Sequence, residues 1–143
     1  MRTELYKDLC ARLKTIEAIK HIDLWNRNVE FIEQEDCWER PAVFIEFGPI
    51  TWQPLTGGHT HRGSSYVKLH IVTDWNGSAS VNSETQDEVL QAFDLSEQIQ
   101  SVLLGIEGKK YHALELSETL TNHDHEDIVE NIDVYKLRCY REI

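Results

Sequence analysis

Two stretches of alternating apolar residues constrain the fold of this chain most strongly. The first covers residues 40–47. Its strand begins at Pro41, whose missing N–H suits the first residue of a strand. The second covers residues 66–75. The apolar residues that share one face of these strands are Val43, Ile45, Phe47, Val67, Leu69 and Ile71. Apart from Glu46, the first strand carries no group suited to chemistry, so the pair predicts a scaffold more than a catalytic element.

The segment between these strands, residues 48–65, has two prolines, four glycines and no helical pattern. We interpret it as a long loop, and a loop of this length in a compact domain is usually functional or disordered. Apolar and aromatic residues within it suggest that it folds onto its own core or reaches a neighbouring subunit, where Trp and Arg are common anchors. The candidate contact residues are Ile50, Trp52, Leu55, His59, His61 and Arg62.

Two amphipathic patterns predict helices, one over residues 3–20 and one over residues 84–104 with a possible break near Asp94. An extended segment is expected at 23–34, and strands at 111–121 and 132–141 are expected to pair. Because the strands cluster in pairs between the helices, we predict one α+β domain over residues 1–143. It has a mainly antiparallel sheet packed against two principal helices, with a long loop between central strands.

The charge balance limits the possible partners. The chain of 143 residues has 14 basic and 25 acidic side chains, a formal net charge of −11. Such a surface repels phosphate, and the densest basic pair, Lys109 and Lys110, is interpreted as a solvated turn. No direct, specific nucleic-acid binding is expected. No apolar run approaches the length of a membrane span, and three widely spaced cysteines, Cys10, Cys37 and Cys139, favour a reducing compartment.

Two histidine clusters have the residue types that bind metals. His59 and His61 form one, and His123 and His125 lie in an acidic stretch that forms the other. A zinc site would need both loops to meet, because each supplies too few ligands alone. A metal- or ligand-binding domain using these four residues is therefore the alternative function, although solvated loop histidines explain the clusters more simply.

A hydrolase with carboxylates in loops is the remaining alternative. Nucleophilic catalysis would need a serine or cysteine beside a base, and residues 63–65 lack the G-x-S-x-G pattern. The acidic residues lie in charge-rich loops that solvation explains: Glu33, Glu35, Asp36, Asp124, Glu126 and Asp127. We therefore expect no enzymatic activity, no catalytic residue, no cofactor and no metal.

The order of the elements and their pattern of apolar and polar residues resemble those of the tail terminator, or tail completion, proteins of long-tailed bacteriophages and of related minor tail and neck proteins of prophages. The resemblance covers the N-terminal helix, the strand PAVFIEF, the strand YVKLHIVTDW, the late helix LSEQIQSVLLGIEG and the closing strand DVYKLRCYREI. It contains no catalytic signature and lends no functional residue.

The resemblance implies a structural protein of the virion, found in the bacterial cytoplasm during assembly and then in the tail. It implies a homo-oligomeric ring, commonly a hexamer. Such a ring caps the finished tail tube, stops its polymerisation and presents a surface to the head–tail connector. The expected partners are thus further copies of the chain and the tail tube and connector proteins.

Overall fold

The computed structural model describes residues 1–31, 38–55, 57–75, 77–125 and 127–142. Glu33, Glu35, Asp36, Cys37 and Glu126, named above, lie outside these residues. The described elements are α1 (Arg2–Leu13), β1 (His21–Leu24), a 3-10 helix (Asn28–Phe31), β2 (Ala42–Phe47), β3 (Thr51–Pro54), β4 (Thr60–Asp74), α2 (Gln86–Leu103), β5 (Glu115–Asn122) and β6 (Ile128–Glu142).

One sheet joins all six of these strands. Its order is β1-β2-β4-β6-β5, with β3 paired to the first part of β4 beside β2. The β1–β2 pair is parallel, and the other described pairs are antiparallel. The fold is therefore α+β with a dominant, mostly antiparallel sheet and two helices, as predicted.

Both helices pack on one face of the sheet, which we call the helix-covered face. The inward positions of β2 and β4 predicted from the alternation, including Val43 and Leu69, are buried there. Leu5, Leu9 and Leu13 of α1 recur at a spacing of four residues, and all three are fully buried against the same cluster. Ile99 and Leu103 of α2 complete this core. Apolar burial on this face is the main stabilising contribution to the fold.

The opposite face, which we call the open face, carries a smaller apolar cluster. Ala42, Phe44, Val72 and Ile128 are buried there, and Trp25 and Trp38 pack partly over them. The ring centroids of Trp38 and Phe44 lie 4.7 Å apart in an edge-to-face arrangement. The segment that precedes β2 thus covers only one end of this face.

The segment predicted as a long loop is more regular than expected. Residues 51–54 and 61–64 pair as a hairpin, and the chain reverses through Gly57 and Gly58, whose φ angles are +90° and +70°. These left-handed conformations cost a glycine little, which is why the Gly-Gly pair permits the reversal. β4 therefore extends 15 residues from Thr60 instead of beginning at Tyr66.

The helix boundaries also differ from the prediction. α1 ends at Leu13, where the Thr15 hydroxyl donates to the Arg12 carbonyl oxygen at 2.7 Å and satisfies an acceptor of the last turn. α2 continues unbroken past Asp94, whose exposed side chain does not disturb the buried stripe. Neither of these two helices is long and apolar enough to cross a membrane.

The strand boundaries differ as well. In the described part of the predicted extended segment 23–34, which is residues 23–31, the end of β1 is followed by the 3-10 helix. The predicted pairing of the last two strands is confirmed as β5 and β6. β6 begins at Ile128 instead of Ile132, because residues 128–131 are buried and pair with β4, and residues 130 and 131 also pair with β5.

Candidate functional site

The six candidate contact residues lie on or near the β3–β4 hairpin but do not share one surface. Leu55 and His59 are exposed at its tip. Arg62 is exposed and donates to the Gln53 side-chain oxygen at 3.2 Å. Ile50 and Trp52 are partly buried against the core of the helix-covered face. The hairpin thus has an exposed tip and a base that the core holds in place.

A glycine fixes how closely the hairpin base packs. A Cβ atom built at Gly63 would lie 2.7 Å from Cys139 Sγ, 2.8 Å from Ile50 Cγ2 and 2.9 Å from Trp52 Cζ3. These distances are shorter than normal contacts, so a larger residue at this position of β4 would push the neighbouring strands β3 and β6 away. His61 packs edge-on against Trp52, with ring centroids 6.5 Å apart. Contacts within the chain therefore hold the Trp52 side chain in place.

The two histidine clusters do not meet. His61 pairs with Arg141 at one end of the β4–β6 ladder, whereas His123 and His125 follow β5 at the other end, where Asp74 pairs with Ile128. The thirteen-residue offset along β4 corresponds to about 40 Å at the usual strand rise of about 3.3 Å. The four histidines therefore cannot form one site, and no group of three His, Cys, Asp or Glu among the described residues could hold a metal ion.

A buried charged triad lies on the open face and was not predicted. His70 of β4 lies between two carboxylates: its Nδ1 is 2.7 Å from Glu130 Oε2, and its Nε2 is 2.7 Å from Glu46 Oε1. The three residues come from adjacent strands β2, β4 and β6. Trp25 covers the imidazole, with the two rings parallel and their centroids 3.7 Å apart. An imidazole protonated on both nitrogens donates to both carboxylates and satisfies the triad.

The environment of Glu130 favours its charged form. Burial alone would raise the pKa of Glu130, but hydrogen bonds from His70 and Asn122 outweigh burial and hold this pKa below its ordinary value. The Asn122 amide donates to Glu130 Oε1 at 2.8 Å, so both oxygens of the carboxylate have partners. The triad therefore fixes the register of three strands.

The triad lacks the access and the partner that catalysis would need. The exposed fractions of His70 and Glu130 are 4% and 1%. Within the described part of the chain, the triad forms no hydrogen bond with a serine, threonine or cysteine that the imidazole could activate. Its geometry is that of a structural ion pair in the sheet.

Asp133 lies on β6, the strand that also carries Glu130, but on the helix-covered face. It is fully buried, and Gln100 and Thr119 donate to its two oxygens at 3.2 and 2.9 Å. Burial raises the pKa of Asp133, and these two neutral donors only partly oppose that effect. Among the described residues, no cation forms a hydrogen bond or ion pair with this carboxylate, so its charge remains costly.

Two surface grooves differ in charge. The first, which we call the basic groove, lies between the start of α1, the base of the β3–β4 hairpin and the end of β6. Its charged lining residues are mostly cations: Arg2, Lys109, Lys110, Arg141 and Glu142. The second, which we call the acidic groove, lies between α2 and the far end of β4. It is lined by Asp74, Glu88 and Asp94 and by no Lys or Arg within the described residues.

The chain shares its fold with a chain of a virion. No protein-family model matches the sequence, and no curated protein matches it. Among solved structures, a chain from the virion of a native gene transfer agent (GTA) particle matches with a TM-score of 0.51 and 12% sequence identity. The match covers 93% of this chain and 84% of that chain. At this identity the similarity establishes a common fold.

Proposed function

We propose that this chain is a structural protein of a phage-like virion that acts as a tail terminator. Copies form a ring, commonly of six, which caps the tail tube and joins it to the head connector. The role needs no catalysis and no cofactor. The proposal also places the chain in the bacterial cytoplasm during assembly and in the tail of the finished particle.

The similarity to a chain of the gene transfer agent virion carries this proposal. It extends over 93% of the chain, so it is not limited to a small common substructure. Phage-like assembly also agrees with the resemblance of the sequence to tail terminator proteins. The metal-binding alternative loses support because the two histidine clusters lie at opposite ends of β4.

The tip of the β3–β4 hairpin is the proposed contact between ring subunits. Leu55 is 38% exposed there, and neither Leu55 nor His59 contributes to the core. Ile50, Trp52 and His61 support the tip from its base, and Arg62 braces β3 through Gln53. A contact of this kind would use a rigid strand pair to present a small apolar surface.

Localisation on intact particles tests the proposal. Gold-labelled antibodies against the chain should bind purified particles at one place, the junction between head and tail. Antibodies against the tail tube protein serve as the control and should label the tail along its length. Labelling of the chain along the tail, or its absence from purified particles, would contradict the proposed role.

A matched pair of variants tests the contact. Leu55→Glu should leave the free energy of unfolding nearly unchanged but reduce incorporation into particles, because it charges the tip. Leu104→Glu changes an 83% exposed leucine just beyond α2, away from the hairpin. It should leave incorporation unchanged. Equal incorporation of both variants would exclude the tip as a subunit contact.

A further inference from the structure

The basic and acidic grooves adjoin opposite ends of the longest strands. Thr60, which lines the basic groove, begins β4, and Asp74, which lines the acidic groove, ends it. Fourteen residue steps separate them, which corresponds to about 45 Å at the usual strand rise. A copy therefore presents opposite charges at surfaces that cannot neutralise each other within one molecule.

The cations of the basic groove are available for a partner. Lys109, Lys110 and Arg141 are exposed, and their side chains form no ion pair with the described residues. The backbone holds the turn in place, since the Tyr140 amide donates to the Lys110 carbonyl oxygen at 2.9 Å. Arg2 is oriented by donating to the Gly48 carbonyl oxygen at 2.9 Å. The groove is thus a fixed arrangement of positive charge.

The acidic groove has the complementary properties. Asp74 is paired with Arg40, but Glu88 and Asp94 are exposed and form no ion pair with the described residues. The acidic groove also has apolar lining residues on α2: Val89, Ala92 and Leu95. The basic groove likewise includes Ile50 and Trp52. Each groove therefore combines charge with apolar surface.

A second copy of this chain fits the basic groove better than a nucleic acid does. The formal charge of −11 opposes the approach of a nucleic acid and of a second copy alike. A second copy, however, offers carboxylates of the right sign together with aliphatic side chains in one groove. Complementary charges of this kind steer association and fix orientation, while apolar contact supplies affinity.

We propose that the basic groove of one copy binds the acidic groove of a second copy, head to tail. The contact uses two different surfaces of the chain, so a pair of bound copies still has one free basic groove and one free acidic groove. Repetition of such a contact closes a ring when the rotation between neighbours allows closure. This inference rests on the proposed ring and adds a second contact between its subunits to the one proposed at the hairpin tip.

Zero-length carbodiimide cross-linking tests the contact, because it joins a lysine amine to a carboxylate only where the two touch. Wild-type protein, both purified at low salt and within particles, should give peptides joining Lys109 or Lys110 to Glu88 or Asp94. The separation of the grooves in one copy makes such links intermolecular. Added salt should reduce their yield in the purified protein.

Charge variants make the test specific. Lys109→Gln with Lys110→Gln should weaken self-association roughly tenfold, as expected for the loss of two surface ion pairs. The control, Lys14→Gln with Lys136→Gln, removes the same charge outside both grooves and should have no effect. Mixing a Lys109→Glu, Lys110→Glu copy with a Glu88→Lys, Asp94→Lys copy should restore links at the exchanged positions. Circular dichroism confirms folding of each variant.

The outcomes separate this inference from the proposed function. Links between copies that map to other residues would overturn the groove contact and leave the ring role standing. An absence of links in both purified protein and particles would overturn the contact as well. Salt-dependent binding of a DNA duplex that requires Lys109 and Lys110, without links between copies, would assign the groove to nucleic acid instead. The ring role itself is tested independently by antibody localisation.

Discussion

The two faces of the sheet are stabilised in different ways. On the helix-covered face, side chains such as Leu69 and Ile99 are fully buried in one continuous apolar cluster. On the open face, the charged triad of His70, Glu46 and Glu130 lies under Trp25 beside a small apolar cluster. Apolar packing tolerates small adjustments, whereas a buried charge requires its specific partner. The comparison shows that apolar packing under helices stabilises one face, whereas a hydrogen-bonded charged cluster under an aromatic ring stabilises part of the other.

The largest expected effect is on the open face. His70→Leu removes the partner of two carboxylates and leaves Glu130 buried without its cation. We expect a loss of about 3–5 kcal/mol in the free energy of unfolding, measured by urea titration. His70→Leu combined with Glu130→Leu should recover most of this loss, because the only carboxylate of the triad that remains, Glu46, is 33% exposed. A loss below about 1 kcal/mol for the single variant would show that the triad does not hold the strands.

A core truncation on the helix-covered face should have a similar or slightly smaller effect. Leu69 is fully buried, so Leu69→Ala should cost about 2–5 kcal/mol through lost apolar contact and a residual cavity. Leu116→Ala on β5 is the matched control, since Leu116 is 46% exposed, and it should cost less than about 0.5 kcal/mol. Equal urea midpoints for the two variants would contradict the assignment of the main core.

Removing the charge of Glu130 should have a pH-dependent effect. The folded pKa of Glu130 is lower than its unfolded value, so its contribution is present above the unfolded pKa of about 4.3 and is lost as pH falls through the folded pKa. Glu130→Gln should therefore cost about 1.5–3 kcal/mol at pH 7 and progressively less below about pH 4. A cost that does not change between pH 7 and pH 3 would show that charge is not involved.

Removing the charge of Asp133, which lies on the other face of β6, should change the free energy of unfolding in the opposite direction. Burial raises the folded pKa of Asp133, so folding disfavours its charge. The penalty is absent below the unfolded pKa of about 3.9 and grows as pH rises through the folded pKa. Asp133→Asn should therefore raise the free energy of unfolding at pH 7 by less than about 1 kcal/mol. The gain should disappear at pH 3, and a loss at pH 7 would contradict the comparison.

The sequence predicted the helix-covered face well because that face depends on periodicity. The alternation of Val43 and Ile45 and of Leu69 and Ile71 is a local pattern, and it identified buried positions correctly. The Gly-Gly pair at residues 57 and 58 is typical of a hairpin turn, although residues 48–65 were predicted to form a long loop.

The triad and the grooves could not be predicted in the same way. His70 and Glu130 are 60 residues apart, and no local pattern indicates that the Glu130 side chain is buried, since glutamate is rarely buried. Only the register of β4 against β6 brings the two side chains together. Lys109 and Lys110 were interpreted as a solvated turn, and nothing local indicates that Arg2 and Arg141 line the same groove.

The central claim is that the chain is a ring-forming terminator of a phage-like tail. It is tested most directly by the distribution of tail lengths, measured by electron microscopy, in a producing strain that lacks the chain. The proposed role predicts tails of variable, excessive length that are not joined to heads, with normal particles restored when the chain is supplied from a plasmid. Tails of normal length joined to heads in the absence of the chain would contradict the proposed role.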